Sequence, residues 1–316
     1  MQSPYDVVII GGGPAGLAAT LYCSRRGLQV AIVEARDSLG GSLRYLYPSK
    51  IVEDYLGFPA IKAIELAQHF EEHLRKLGNV DIYLGHRIID YELRGDVKFV
   101  RSLRGLELEA RAIIVCIGAS PIKLLVPGCD LPGVLTGFPK SLSRFRNRRV
   151  VVIGGGNAAL EAAIALSEVC SEVYLVHRRT EFRADEVLVE RAKKLPIHFV
   201  LGYVPTEIFG REHVEGIKLK SVITGEEKQL ECNFVIFAVG VRPETEVLKE
   251  RGLDVDDRGF IKVDSQCRTN IPGVFAAGDV TGGLGGLMTI HTAIAQGFIA
   301  ARSAYIYLEK PYWARE

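Results

Sequence analysis

The stretch Tyr5-Asp6-Val7-Val8-Ile9-Ile10-Gly11-Gly12-Gly13-Pro14-Ala15-Gly16, with Leu17 to Arg26 behind it, decides the fold. Tyr5 to Ile10 is a short apolar, β-branched run, the pattern of a strand buried on both faces. Gly11, Gly13 and Gly16 fill the spacing G-x-G-x-x-G, and Leu17 to Arg26 reads as a helix. Gln29-Val30-Ala31-Ile32-Val33-Glu34 is then a second buried strand that ends on an acid. Strand, glycine turn, helix and strand inside about 30 residues make a βαβ unit.

Further along, the same pattern returns. Arg149-Val150-Val151-Val152-Ile153 leads into Gly154-Gly155-Gly156-Asn157-Ala158-Ala159, a helix runs from Leu160 to about Val169, and Glu172-Val173-Tyr174-Leu175-Val176 follows. The chain thus carries an internal duplication, and two such units imply an α/β protein with two Rossmann-like domains and two bound dinucleotides. A pyrophosphate is anionic and is held by backbone N–H groups at a helix N-terminus. The first glycine of the motif makes the tight turn, the second lets phosphate approach, and the third packs helix on strand. In the first unit Glu34 stands where a carboxylate accepts hydrogen bonds from ribose hydroxyls. In the second, Gly154, Gly156 and Ala159 give G-x-G-x-x-A, and the strand ends instead on His177-Arg178-Arg179, with Arg183 following. A cationic pocket there suits a 2′-phosphate, which points to NADPH rather than NADH.

Two apolar strands, Ile113 to Gly118 and Val235 to Gly240, each end on glycine, placed to let a chain crossing approach closely where domains join. Leu77 to Glu109 reads as short strands with polar turns, including Arg94-Gly95-Asp96. The last element, from about Thr292 to Leu308, reads as an Ala-rich helix.

Composition narrows the function classes. At 316 residues the chain is about twice a typical domain of roughly 150. With 48% hydrophobic and 24% charged residues it has ordinary globular composition. A net charge of +1 argues against nucleic acid or an anionic membrane as the main partner. No apolar run reaches the roughly 20 residues of a membrane helix. Met1-Gln2-Ser3-Pro4 runs straight into a strand without a secretory leader, so a cytoplasmic location is expected. Cys23, Cys116, Cys129, Cys170, Cys232 and Cys267 are scattered singly, with no C-x-x-C for a redox dithiol or half a zinc site, so no metal is expected.

The two glycine turns, together with Gly40-Gly41, His177-Arg178-Arg179 and Ala276-Ala277-Gly278-Asp279-Val280, resemble the low-molecular-weight thioredoxin reductase family over nearly the whole chain. That resemblance implies two three-layer domains: a discontinuous FAD-binding domain at residues 1–112 and 242–316, and an NADPH-binding domain at 113–241. It places FAD against Gly11, Gly13, Pro14, Ala15, Gly16, Glu34, Ala35, Arg36, Gly41, Ser42, Tyr47, Gly118, Asp279 and Thr289, with Asp279 on the ribityl chain. It places NADPH against Gly154, Gly156, Asn157, Ala158, Ala159, His177, Arg178, Arg179, Arg183 and Gly240, and implies a homodimer.

One departure changes the function. Where thioredoxin reductases carry C-x-x-C, this chain reads Val134-Leu135-Thr136-Gly137-Phe138-Pro139-Lys140-Ser141-Leu142. Without a dithiol, the standard route to a thioredoxin disulfide is closed. Tyr47-Pro48 and Gly57-Phe58-Pro59 are instead similar to the thioredoxin-reductase-type ferredoxin–NADP reductases, in which the tyrosine matching Tyr47 stacks on the flavin. Ser42 departs from the glutamine usual in both groups. The sequence also lacks the C-terminal extension of those reductases, leaving either a more open flavin face or Tyr312 and Trp313 as a short substitute.

The resulting expectation is hydride transfer from NADPH to FAD, then release of electrons to an external acceptor. A ferredoxin is the first choice. The alternatives are oxygen or another small-molecule acceptor, as in an NAD(P)H oxidase or diaphorase, and a sensor that binds both nucleotides without turnover. The helix near His291 would aim its positive end at the flavin, and His291 itself reads as structural rather than catalytic. Arg144, Arg146, Arg148 and Arg149 form a basic cluster suited to an acidic ferredoxin.

Overall fold

The computed structural model describes residues 3–309. The chain divides into two compact units. One takes the chain up to Ser120 and again from Arg242, and the other takes Pro121–Val241.

In the first unit, strand Tyr5–Ile10 lies parallel between Val30–Glu34 and Glu107–Val115. Val80–Leu84 pairs outside the former, and Val274–Ala276 pairs with Glu107–Val115. Two antiparallel strands, Lys98–Ser102 and Ile88–Glu92, extend the sheet. Side chains alternate across a strand. Val7 and Ile9 therefore enter one core with helices Pro14–Arg25 and Ile290–Glu309. Val8 and Ile10 enter another with Tyr91, Val100, Leu248 and Ile261. Each fully buried Val or Ile contributes about 1.5–3 kcal/mol relative to exposure, which is why β-branched runs dominate these strands.

The second unit repeats the plan. Five parallel strands run in the order Val134–Thr136, Phe234–Phe237, Arg149–Ile153, Glu172–His177, Ile197–Leu201. One face packs on helix Asn157–Ser167, and the other on an antiparallel meander, Tyr203–Phe209, Gly216–Ser221 and Glu227–Glu231. Helix, parallel sheet and meander are its three layers. The duplication is thus visible in topology, because the first unit orders its parallel strands in the same way around Tyr5–Ile10. Its fifth strand comes from late in the chain, whereas that of the second unit precedes the glycine turn.

Three details differ from the sequence reading. The first crossing falls at Ser120/Pro121 rather than 112/113, since Glu107–Val115 is one continuous strand of the first sheet. Gly118 and Gly240 are not sites of close approach. A Cβ on Gly118 would meet nothing within 4 Å, and one on Gly240 only Ile122 Cδ1 at 3.8 Å. Glycine is required there by φ values of +69° and +116°. The last helix begins at Ile290, two residues before Thr292, because Thr289 and Thr292 cap it reciprocally. Thr292 N–H donates to Thr289 Oγ1 at 3.2 Å and Thr289 N–H to Thr292 Oγ1 at 3.1 Å.

Candidate functional site

Each unit presents a glycine turn at the C-terminal end of its first strand. In the first turn, a Cβ on Gly16 would lie 1.9 Å from Gly11 O, so helix Pro14–Arg25 seats directly on the turn. Pro14 occupies the first helical position, where its missing N–H costs nothing. A Cβ on Gly41 would come within 2.6 Å of Gly13 Cα, so the two backbones run side by side there.

Glu34, only 7% exposed, ties strand to turn. Its Oε2 accepts Gly12 N–H at 2.7 Å and its Oε1 accepts Arg36 N–H at 2.9 Å. Since a carboxylate offers about four acceptor sites, lone pairs remain for hydroxyl donors. Ala35 and Arg36 are exposed, and the Arg36 guanidinium stacks 4.5 Å from the Tyr45 ring centroid. Ser42 opens the short helix Ser42–Tyr45. Half-buried Tyr47 rests on a small core of Leu43, Val52, Ile61 and Leu66.

Asp279 follows Gly278 in a tight turn. Burial pushes its carboxyl above the usual range, and no cation among the described residues pairs with it. Sequence reading missed the side chain that holds this turn: Gln296, 3% exposed, accepts Gly278 N–H at 3.0 Å and bonds Thr281. Its only signal is an amide inside an otherwise Ala-rich helix. His291 is exposed at the helix start, where Leu56 N–H approaches its Nε2 at 3.4 Å and the Tyr55 ring lies 5.1 Å away. Tyr312 and Trp313 lie outside the described residues.

In the second turn, Gly154 passes under Ala238 O, which a Cβ would approach to 2.2 Å, whereas a Cβ on Gly156 would meet nothing within 4 Å. The space above Gly156, at the N-terminus of helix Asn157–Ser167, is therefore open. Ala159, in the third motif position, is fully buried, and Ala158 is exposed. The basic run divides. Arg178, Arg179 and Arg183 are exposed, and among the described residues no carboxylate pairs with any of them. His177 is 7% exposed, pressed against Gly155, where a Cβ would lie 2.3–2.4 Å from its ring atoms, and stacked on Phe182. Burial first, and then the nearby arginines 183, 178 and 179, hold its pKa below the ordinary value. It therefore supports the turn from below instead of joining the exposed arginines.

The basic cluster before the second turn is also divided. Arg144 lies over the Phe145 and Phe234 rings at 5.5 and 5.1 Å, and Arg149 pairs with Glu231 at 2.9 Å. All six cysteines are free. Burial pushes the Cys23, Cys232 and Cys267 thiols up to about 12 and Cys170 to about 11, and raises Cys116 as well. None of these five is a thiolate at neutral pH.

Comparison with known proteins places this geometry. The family model for pyridine nucleotide-disulphide oxidoreductases matches residues 5–297, across both units. The chain belongs to that family. It is accordingly an oxidoreductase. A ferredoxin–NADP reductase of Limosilactobacillus fermentum is 35% identical over 286 residues, covering 88% of this chain and 86% of that protein. One of Ignicoccus hospitalis is 33% identical, covering 98% and 99%. Among solved structures, a thioredoxin reductase of Lactococcus lactis superposes with a TM-score of 0.89 at 33% identity, covering 96% of this chain and 99% of that one.

Proposed function

We propose that this chain is a ferredoxin–NADP reductase that holds FAD at the first glycine turn and NADPH at the second. One observation carries the choice of acceptor. No two cysteines have the C-x-x-C spacing, so the chain lacks the dithiol motif that would pass electrons to a protein disulfide, and Cys23, Cys116 and Cys267 are buried in the core. Relatives named ferredoxin–NADP reductase at 33–35% identity support the same reading.

The residues fit the two cofactors. The helix N-termini at Gly13 and Gly156 offer unpaired N–H groups and positive dipole ends to the two pyrophosphates. Glu34 has acceptor sites for ribose hydroxyls. Asp279 is a partly desolvated carboxylate without a cation, and hydroxyl donors on a ribityl chain would relieve that cost. Tyr47 offers an aromatic face for the flavin ring. Arg178, Arg179 and Arg183 supply the charge a 2′-phosphate needs. When bound, NADPH supplies the hydride and FAD the ring that accepts it. The protein's own part is to hold the two and to raise no competing thiol.

The reading extends to a cytoplasmic homodimer. The family resemblance supports the dimer, and no helix among the described residues is long and apolar enough to cross a membrane. Sedimentation of the FAD-loaded protein at about twice the chain mass tests the dimer. The activity is tested by supplying NADPH with either a ferredoxin or thioredoxin to the FAD-loaded protein. Rapid ferredoxin reduction with no thioredoxin reduction is expected, and the reverse pattern overturns the assignment.

A further inference from the structure

We propose that Asn157 and Asp185 form a latch that positions the arginine-bearing loop and so sets the preference for a 2′-phosphorylated nucleotide. The inference rests on the reading of the second turn as an NADPH site.

Asn157 is the first residue of helix Asn157–Ser167, where a side-chain amide could be spent on a phosphate. Both of its polar atoms are committed to one partner instead. Its Nδ2 donates to Asp185 Oδ2 at 2.8 Å, and its Oδ1 accepts Asp185 N–H at 2.9 Å. Beside this pair, Arg183 N–H donates to Gly155 O at 2.9 Å. Three hydrogen bonds therefore stitch the loop from Arg178 to Asp185 onto the glycine turn.

Asp185 shows that this arrangement displaces something. It stands immediately before helix Glu186–Lys193, in the capping position where aspartate ordinarily accepts an N–H of the first helical turn. Its side chain makes no such bond. The carboxylate goes to Asn157 in its place. Both side chains are solvent-exposed, and an exposed hydrogen bond adds little to folding because water replaces it. What the latch does fix is the distance between a pyrophosphate on the turn and a 2′-phosphate on the loop. Fork-like arginine contacts to phosphate depend on that geometry. NAD lacks the 2′-phosphate and has no stake in where the loop lies.

Calorimetric titration of the FAD-loaded protein with NADP⁺ and, separately, NAD⁺ tests the latch. Asn157→Asp sets two carboxylates against each other and opens it. Any repulsion of the pyrophosphate by the new carboxylate weakens both nucleotides alike, so the NADP⁺/NAD⁺ affinity ratio is the readout. That ratio should fall about tenfold, the scale of one misplaced charge-assisted contact. The double variant Asn157→Asp with Asp185→Asn keeps the new charge at 157 but restores the side-chain hydrogen bond with donor and acceptor exchanged, while the backbone N–H of residue 185 again donates to the side-chain oxygen of residue 157, and it should recover the ratio. An unchanged ratio in the single variant, or failure of the exchange to recover it, overturns the latch. Arg179→Ala, titrated alongside, separates the two ideas. If the ratio falls there and not in Asn157→Asp, only the latch fails; if Arg179→Ala leaves it unchanged, the 2′-phosphate reading fails and the latch with it.

Discussion

Single side chains at the two turns carry opposite electrostatic costs. His177 is held below its ordinary pKa near 6.5 by burial and by three arginines. The unfolded chain takes up a proton that the folded one refuses, so this contribution to stability is complete above about pH 6.5 and is lost as pH falls below it. His177→Gln should therefore lose less melting temperature than the parent between about pH 7.5 and 5.5; an equal loss would remove His177 from the acid response. Asp279 is the reverse case. Its folded pKa is raised, so the apo protein gives up stability as pH rises through the carboxylate range. Asp279→Asn should stabilise the apo protein at neutral pH while weakening FAD. A lost hydrogen bond to a charged group is worth about 1.5–3 kcal/mol, or roughly 10–100-fold in affinity. Undiminished FAD affinity would take Asp279 out of the cofactor site. At this scale Glu34 and the three arginines stand out in the sequence by their place at or beyond the end of the second strand of each unit, Asp279 enters only through the family resemblance, and the cofactor role of each is the proposal made above. His177 was not legible, because a run of basic letters does not reveal that the strand ends on it: it is the last residue of Glu172–His177 and turns inward, while Arg178 lies beyond the strand.

The glycine turns separate folding from binding. Gly16→Ala would place a methyl carbon 1.9 Å from Gly11 O, backbone against backbone, and nothing nearby can yield. We expect loss of soluble, yellow protein, since overpacking on rigid backbone costs at least about 1–3 kcal/mol. Gly156→Ala meets nothing within 4 Å and should leave melting unchanged while raising the KM for NADPH, because the methyl occupies the space the phosphate would take. Equal damage to folding from both substitutions would contradict the division of roles. The turns themselves are legible because close approach, positive φ and helix start all demand the same residue type. The strand Glu107–Val115 was harder to bound. Its first half alternates between exposed and buried where it meets Lys98–Ser102, and its second half is buried throughout among parallel neighbours. Only the second half reads as a strand from composition.

For the whole molecule, the duplicated βαβ unit made the two-unit architecture legible, since two turns each tied to a buried strand pair require two sheets. Long-range lacing was not legible: Gln296 on Gly278, and Asn157 on Asp185, join positions whose spacing carries no motif. The surface is nearly neutral, so any steering of an acidic ferredoxin must come from local charge. Exposed Arg144 lies over two aromatic rings and Arg149 pairs with Glu231, whereas Arg146 and Arg148 are exposed with neither kind of partner among the described residues. Reversing both to Glu should raise the KM for ferredoxin several-fold at low salt and leave that for NADPH unchanged; an unaffected ferredoxin KM would move docking elsewhere. Anaerobic titration of the FAD-loaded protein with NADPH, followed by flavin absorbance, counts the redox centres directly. A chain that holds one flavin and no dithiol should bleach fully at about one equivalent per flavin. Bleaching that needs about two equivalents would reveal a second two-electron centre and contradict the proposed function.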